Sequence, residues 1–348
     1  MDLENLTGFN VGTNLGGWLS QYRKYDHDHF KSFIKESNIS QISSWGMDHV
    51  RLPVDYPLFE DDDKPFTYKQ SGFDYVSRCL DWCEKNNLDV VLDLHRAPGF
   101  SFYTYERETL FKDPVLQKRF ISLWQELAKR FSSRKKPRII FELLNEIVLP
   151  SSDPWNELSA KTIKGIREVD NDHWIMVGGN FWNSASALKD LTIFDDPKIV
   201  YTFHFYEPFP FTHQKASWSK ELSAFNTELE YPGGIPGLIE FIEKNEWTRK
   251  GLERFVGKQM DKHLLTEYFK PVLDFLKDNE RPVYCGEYGV IEIAPRESLR
   301  RWYRDFIGML RENRIGRACW SYKGMSFSLV DYNNKIVDEE LIKIVSEG

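Results

Sequence analysis

Residues 89–95 read DVVLDLH, residues 138–146 read RIIFELLNE, and VLQKRFISLWQELAKRF runs between them at 115–131. The two outer runs are apolar and β-branched without clean alternation, as strands buried on both faces are. The middle run repeats its apolar residues at helical spacing, and Asp113-Pro114 ahead of it pairs an N-cap with a first-turn proline. Strand, helix, strand in that order is a parallel unit with a crossover helix.

The alternation continues in both directions. Further strands are expected at 8–15, 48–54, 174–180, 199–206, 282–289 and 316–323, which makes eight. Helices are expected at 29–36, 39–45, 73–86, 155–169, 262–276, 298–312 and 339–345. Eight strands alternating with about as many helices close most simply into a (β/α)8 TIM barrel, an α/β fold. A doubly wound open sheet is the alternative, but no G-x-G-x-x-G follows the first strand. The interval after the sixth strand, about 207–261, contains WSKELSAFNTELEYPGGIPGLIEFIEKNEWTRKG. It is expected to form a mostly helical insertion beside the barrel mouth, because long excursions in compact domains are usually functional. No repeat or Pro/Ser linker interrupts the chain, so residues 1–348 are expected to form one catalytic domain.

Composition narrows the function. Lys+Arg number 46 and Asp+Glu 53, a net charge of −7, which argues against nucleic acid as a partner. No apolar run reaches the roughly 18 residues of a membrane span. The start, MDLENLTGF, lacks the basic and apolar segments of a secretory leader. The expected compartment is the cytoplasm, or the exterior if a leader has been trimmed. Cysteines at 79, 83, 285 and 319 lack zinc-site spacing and read as packed free thiols. No P-loop, H-E-x-x-H or G-x-S-x-G is present. A monomer without metal or cofactor is expected.

In a barrel of this type the active site lies at the C-terminal ends of the strands. Arg51 closes the second expected strand, His95 the third, Asn145 and Glu146 the fourth, and His204 and Tyr206 the sixth. Glu287 stands near the end of the seventh and Trp320 in the eighth. Two carboxylates facing each other across one mouth are what glycoside hydrolysis requires. Glu287, expected near Arg51, His204 and Tyr206, is held ionised and suits a nucleophile. Glu146 has no cation beside it, keeps its proton and suits the general acid, then base. Asn145 is placed to bond a sugar hydroxyl, and Trp320 offers a floor for a pyranose ring. Trp18, Tyr22, Phe102, Tyr103, Trp182, Phe209 and Trp218, in or near loops after strands 1, 3, 5 and 6, are candidate stacking surfaces. Some of these rings are expected to be core or lid packing instead. His213 and Gln214 either bridge sugar hydroxyls or are loop residues with no role.

The strings LLNE, DLHRAPG, VRLPV, FHFY, GEYG and CWSYK resemble glycoside hydrolase family 5, the former cellulase family A, over about residues 7–330. The resemblance matches all eight of Arg51, His95, Asn145, Glu146, His204, Tyr206, Glu287 and Trp320 in order. Within the family, NLGGWLSQY, HVRLPVDYP and YCGEYGVI are similar to its small single-domain clostridial endoglucanases. That resemblance implies retaining, metal-free hydrolysis of internal β-1,4 bonds in soluble β-glucans such as cellulose derivatives and mixed-linkage glucan. It also implies substrate contacts from Asn14 and Arg96, the latter standing where many members carry a second histidine. The NLGGW string is shared with members that remove glucose from β-1,3-glucan ends. A β-1,3-glucanase, a β-mannanase and an exo-glucosidase are therefore the alternatives. A non-catalytic carbohydrate-binding protein is disfavoured because both glutamates are present.

Overall fold

The computed structural model describes residues 8–102 and 109–348. Tyr103 lies outside the described residues. Eight parallel strands close into a barrel in sequence order: β1 Val11–Asn14, β2 His49–Asp55, β3 Asp89–Arg96, β4 Ile139–Glu142, β5 Trp174–Gly178, β6 Ile199–Phe205, β7 Val283–Tyr288 and β8 Gly316–Cys319. The expected strands are all present, with three shifts that matter. β8 stops at Cys319, so Trp320 lies just past it rather than in the strand. β2 runs on to Asp55, so Arg51 sits inside the strand rather than at its end. β4 stops at Glu142 rather than at 146. Beyond it the Leu143 N–H bonds Met176 O of β5 at 3.1 Å and the Asn145 N–H bonds Leu94 O of β3 at 3.2 Å. The tail thus leans on both neighbours while Asn145 and Glu146 reach the mouth.

Alternation along the strands fills the lumen in layers. Val91, Ile140, Met176, Val200, Tyr284 and Ala318 pack with Phe9 into an apolar plug. Two residues further along, the register places Asn14 beside Arg51 and Asp93 beside Glu142, all fully buried. The lower half of the lumen is apolar apart from His49, whose Nε2 lies 2.6 Å from the Tyr284 hydroxyl, and the upper half is charged.

The helical ring is fastened to the mouth by indoles. Trp124 on the helix Pro114–Phe131, Trp155 on Asp153–Arg167 and Trp302 on Arg296–Glu312 are fully buried. Their ring N–H groups donate to Leu143 O at 3.0 Å, Gly178 O at 2.8 Å and Glu207 O at 2.9 Å. Each carbonyl stands at or just past the C-terminal end of a strand, so one side chain both fills the core and fixes a loop.

Elsewhere the helices follow the sequence pattern with local differences. The first spans His27–Ser32 rather than 29–36, because Asp26 caps it by accepting from Asp28 N. Between β5 and β6 there is no long helix, only a turn Asn180–Asn183 and a 3-10 segment Ala185–Asp190. The interval after β6 is helical in short pieces: Phe209–Thr212, Lys220–Phe225, Leu238–Lys244 and Arg249–Leu252. Leu222, Leu238, Ile242, Leu252 and Phe255 form a cluster of their own there. Phe255→Ala is expected to cost about 3–5 kcal/mol locally. Hydrogen exchange should speed up across residues 209–258 while the amides of β6 and β7 stay protected.

Candidate active site

Arg51 organises the upper lumen. Its Nε donates to Glu142 Oε2 at 2.6 Å, and Nη2 donates to Glu142 Oε1 at 2.9 Å and to Asn145 Oδ1 at 2.8 Å. Nη1 donates to Asn14 Oδ1 and to Glu287 Oε1, both at 2.9 Å. Asp93 Oδ2 stands 3.0 Å from Nη2 and also 2.6 Å from His95 Nδ1. Every N–H of the guanidinium has an acceptor, so its plane is fixed.

Glu287 reaches the mouth through a bulge. Pairing between β6 and β7 slips at Phe203/His204, so Cys285 meets Phe203 and Glu287 meets His204, with Gly286 left over. A Cβ on Gly286 would lie 3.0 Å from Thr202 Oγ1 and 3.1 Å from His204 Nε2, so only glycine fits comfortably. Opposite, His204 Nδ1 lies 2.9 Å from Glu146 Oε1 and 3.8 Å from Glu287 Oε2. The Tyr206 hydroxyl donates to Glu287 Oε2 at 2.9 Å. The Trp320 and His95 rings lie nearly parallel, 5° apart with centroids 5.7 Å away, and Phe102 meets His95 edge-on at 5.2 Å. All eight residues expected to converge do so.

Electrostatics separates the two glutamates. Burial raises the carboxyl of Glu287, opposed chiefly by Arg51 and by the Tyr206 bond. Burial also raises Glu146, and there the charge of Glu287 adds to the elevation. Glu146 ends well above its ordinary value, so it is the member of the pair that holds a proton. Burial pushes His95 down to about 3 and His204 well down, leaving both imidazoles neutral. His204 is therefore a neutral partner of Glu146, standing near Glu287 as expected without adding a positive charge to it. Asn145 has a buried Nδ2 with no partner, a donor open to a ligand.

One donor atom each from Glu146, His204 and Glu287 lie within 4.8 Å of one another, close enough to chelate a cation. Both oxygens of Glu287 are already bonded by Arg51 and Tyr206, so an ion would compete with those donors.

Other expected contacts are reassigned. Asn14 is fully buried and its Nδ2 donates to the carbonyls of Gly286, Ala318 and Cys319 at 3.0–3.2 Å. With Oδ1 held by Arg51 it has no group left for a sugar. Trp18 is fully buried, donates to Phe30 O at 2.9 Å and stacks on Trp82, so it is core. Gln214 is buried and bonds Phe211 O, Leu229 O and Leu229 N, stapling the insertion. Arg96 is half-buried, 3.5 Å from the carboxylate of Asp55, with an unpartnered Nε. Phe209 packs on His213, which in turn contacts Tyr206, Trp218 and Phe327. Trp218 and Trp182 are about half exposed. Tyr22 meets Tyr25 and Phe30 edge-on.

Asp93 and Glu142 escaped the sequence reading. The signal was present: in DVVLDLH and RIIFELLNE each charged residue sits two places from an apolar inward position, on the lumen face.

Residues 5–326 match the family model for cellulase, glycosyl hydrolase family 5. The chain belongs to glycosyl hydrolase family 5. It is a glycoside hydrolase. It is 46% identical to endoglucanase C of Acetivibrio thermocellus, covering 98% of this chain and 99% of the relative. It is 33% identical to cellodextrinase A of Ruminococcus flavefaciens, over 90% and 85%. Among solved structures, Cel5A of Thermotoga maritima with cellobiose superposes at a TM-score of 0.79 and 26% identity, covering 98% of this chain and 99% of that one.

Tyr206→Phe removes a bond that favours ionised Glu287, so the carboxyl rises further. The acidic limb of kcat/KM should move to higher pH and kcat should fall, read from a pH series on a soluble glucan. An unmoved limb would show that the phenol does not stabilise the anion.

Proposed function

We propose that the chain is a retaining endo-β-1,4-glucanase acting on soluble β-glucans, with Glu287 as nucleophile and Glu146 as general acid and base. The observation that carries the mechanism is the approach of the two carboxylates, one oxygen of each lying within 4.8 Å of the other. Retaining glycosidases hold their carboxyls about 5–5.5 Å apart, and inverting ones leave about 6.5–9.5 Å for a water. The names of the relatives, endoglucanase C and cellodextrinase A, support β-1,4-linked glucose as substrate.

In this scheme a glucosyl ring rests against Trp320 and His95, with Asn145 Nδ2 offering a hydrogen bond. Glu287 attacks the anomeric carbon while Glu146 passes its proton to the departing glycosidic oxygen. The product is a glycosyl ester of Glu287. Its formation removes the negative charge that helps hold the proton on Glu146. Glu146 is then a better base for the incoming water, whose attack releases the sugar with its anomeric configuration retained. Arg51 and Tyr206 stabilise Glu287 as an anion before attack and after release. The charge balance closes with these side chains alone, so the monomer is proposed to work without metal or cofactor.

Glu287→Gln should lower kcat on carboxymethyl cellulose or barley β-glucan by about a thousandfold or more, with glucan binding kept. Proton NMR of the wild-type reaction should show the β-anomer first, and cellohexaose should break at internal bonds. Near-wild-type turnover by Glu287→Gln would remove the nucleophile assignment, and α-anomer first would indicate inversion. Laminarin or mannan preferred over β-1,4-glucan in the same panel would transfer the chemistry to a different substrate. Treatment with EDTA should leave the rate unchanged.

A further inference from the structure

Glu142 takes no part in the scheme above. It lies fully buried at the end of β4, beneath the mouth. Its two oxygens accept the parallel pair of bonds from Arg51 Nε and Nη2 described above. A bidentate grip of this kind fixes both the position and the plane of a guanidinium. With that edge held, Nη1 on the other side can point only toward Asn14 Oδ1 and Glu287 Oε1.

The charges make the same point. One cation, Arg51, faces three carboxylates: Glu142, Asp93 and Glu287. If Arg51 served Glu287 alone, the pair would be a tight buried ion pair, and the carboxylate would be a poor nucleophile. Glu142 takes up much of that positive charge from below.

We infer that Glu142 is a positioning residue for the hydrolysis, orienting Arg51 and balancing its charge so that Glu287 is anchored but remains reactive. This inference rests on the reading of Glu287 as nucleophile. The groups around Glu142 are Arg51 from β2, Asp93 from β3, Tyr284 from β7 and Glu146 from the segment after β4. Those around Glu287 are Arg51, Asp93, His95, His204, Tyr206 and Glu146. Arg51, Asp93 and Glu146 are common to the two sets, and of these Arg51 is hydrogen-bonded to both carboxylates, so charge lost at Glu142 acts on Glu287 chiefly through the guanidinium.

The test uses the full-length enzyme and 2,4-dinitrophenyl β-cellobioside. That leaving group departs without a proton, so Glu146 drops out of the first step and the acidic limb of kcat/KM reports Glu287. Glu142→Gln keeps the shape and removes the charge. Arg51 is then less compensated, ionised Glu287 is favoured, and the acidic limb should move to lower pH by about one unit. The plateau kcat should fall at least about tenfold with KM within about threefold, the pattern of a defect felt in the transition state. Glu142→Asp keeps the charge but cannot reach both nitrogens in the same plane. It should lose kcat at least about tenfold while leaving the limb where it is in the wild type.

If Glu142→Gln has the wild-type limb and kcat, the inference is overturned, and a fall in thermal stability alone would mark a purely structural role. If Glu142→Gln does not fold, Glu142→Asp decides, and wild-type kcat in that variant overturns the inference. Failure of the underlying reading looks different. In that case Glu287→Gln would retain turnover of the same cellobioside, whatever the Glu142 variants do.

Discussion

A single guanidinium, locked by five hydrogen bonds inside an eight-stranded barrel, is the constraint on which the site depends. Arg51 touches β1 through Asn14, β3 through Asp93, β4 through Glu142 and the segment after β4 through Asn145. It touches β7 through Glu287. Asn14 extends the connection to β8 through two carbonyls. Six of the eight strands are thus cross-braced by one side chain and its partners. A buried cation among three carboxylates is costly to desolvate, and an apolar layer of the same volume would be no less stable. What the arrangement provides is fixed direction: a carboxylate held where an anomeric carbon must come.

That explains the division of the lumen. The plug around Val91, Ile140, Met176 and Ala318 supplies stability without function. The polar layer above it supplies function and depends on the plug to keep water out from below. The bulge at Gly286 is the step between the two regimes. It turns the β7 register by one residue, so that a glutamate rather than its neighbour enters the mouth opposite His204. A regular ladder would have paired His204 with residue 286 and sent the carboxylate elsewhere.

Much of this was legible from the residues. The eight strands declare themselves because parallel strands buried on both faces carry unbroken apolar runs, and the reactive side chains interrupt those runs near their C-terminal ends. Four things were not legible, each for a physical reason. The end of β4 was placed four residues late, because LLNE keeps bonding both neighbouring strands after the ladder closes. Asn14 and Gln214 looked like ligand contacts, because an amide that braces backbone carbonyls is indistinguishable in sequence from one that meets a sugar. Trp18 looked like a platform, although it is fully buried and stacks on the partly buried Trp82. Glu142 passed unnoticed because its importance lies in a partner 91 positions away. Between β5 and β6, Phe181, Trp182 and Asn183 all adopt positive φ, at 51°, 57° and 54°. That turn is held by Asn180, which accepts from Leu149 N and donates to Leu149 O.

The three indoles that hang the helical ring from the strand ends have an optical consequence. Trp124, Trp155 and Trp302 are dry fluorophores, and each donates its ring proton to a carbonyl at the rim of the catalytic cup. Loosening of that rim would admit water to those rings and shift their emission to the red before the strands themselves separate. The blue-emitting part of the tryptophan fluorescence, to which these three rings contribute, therefore carries a built-in gauge of rim integrity.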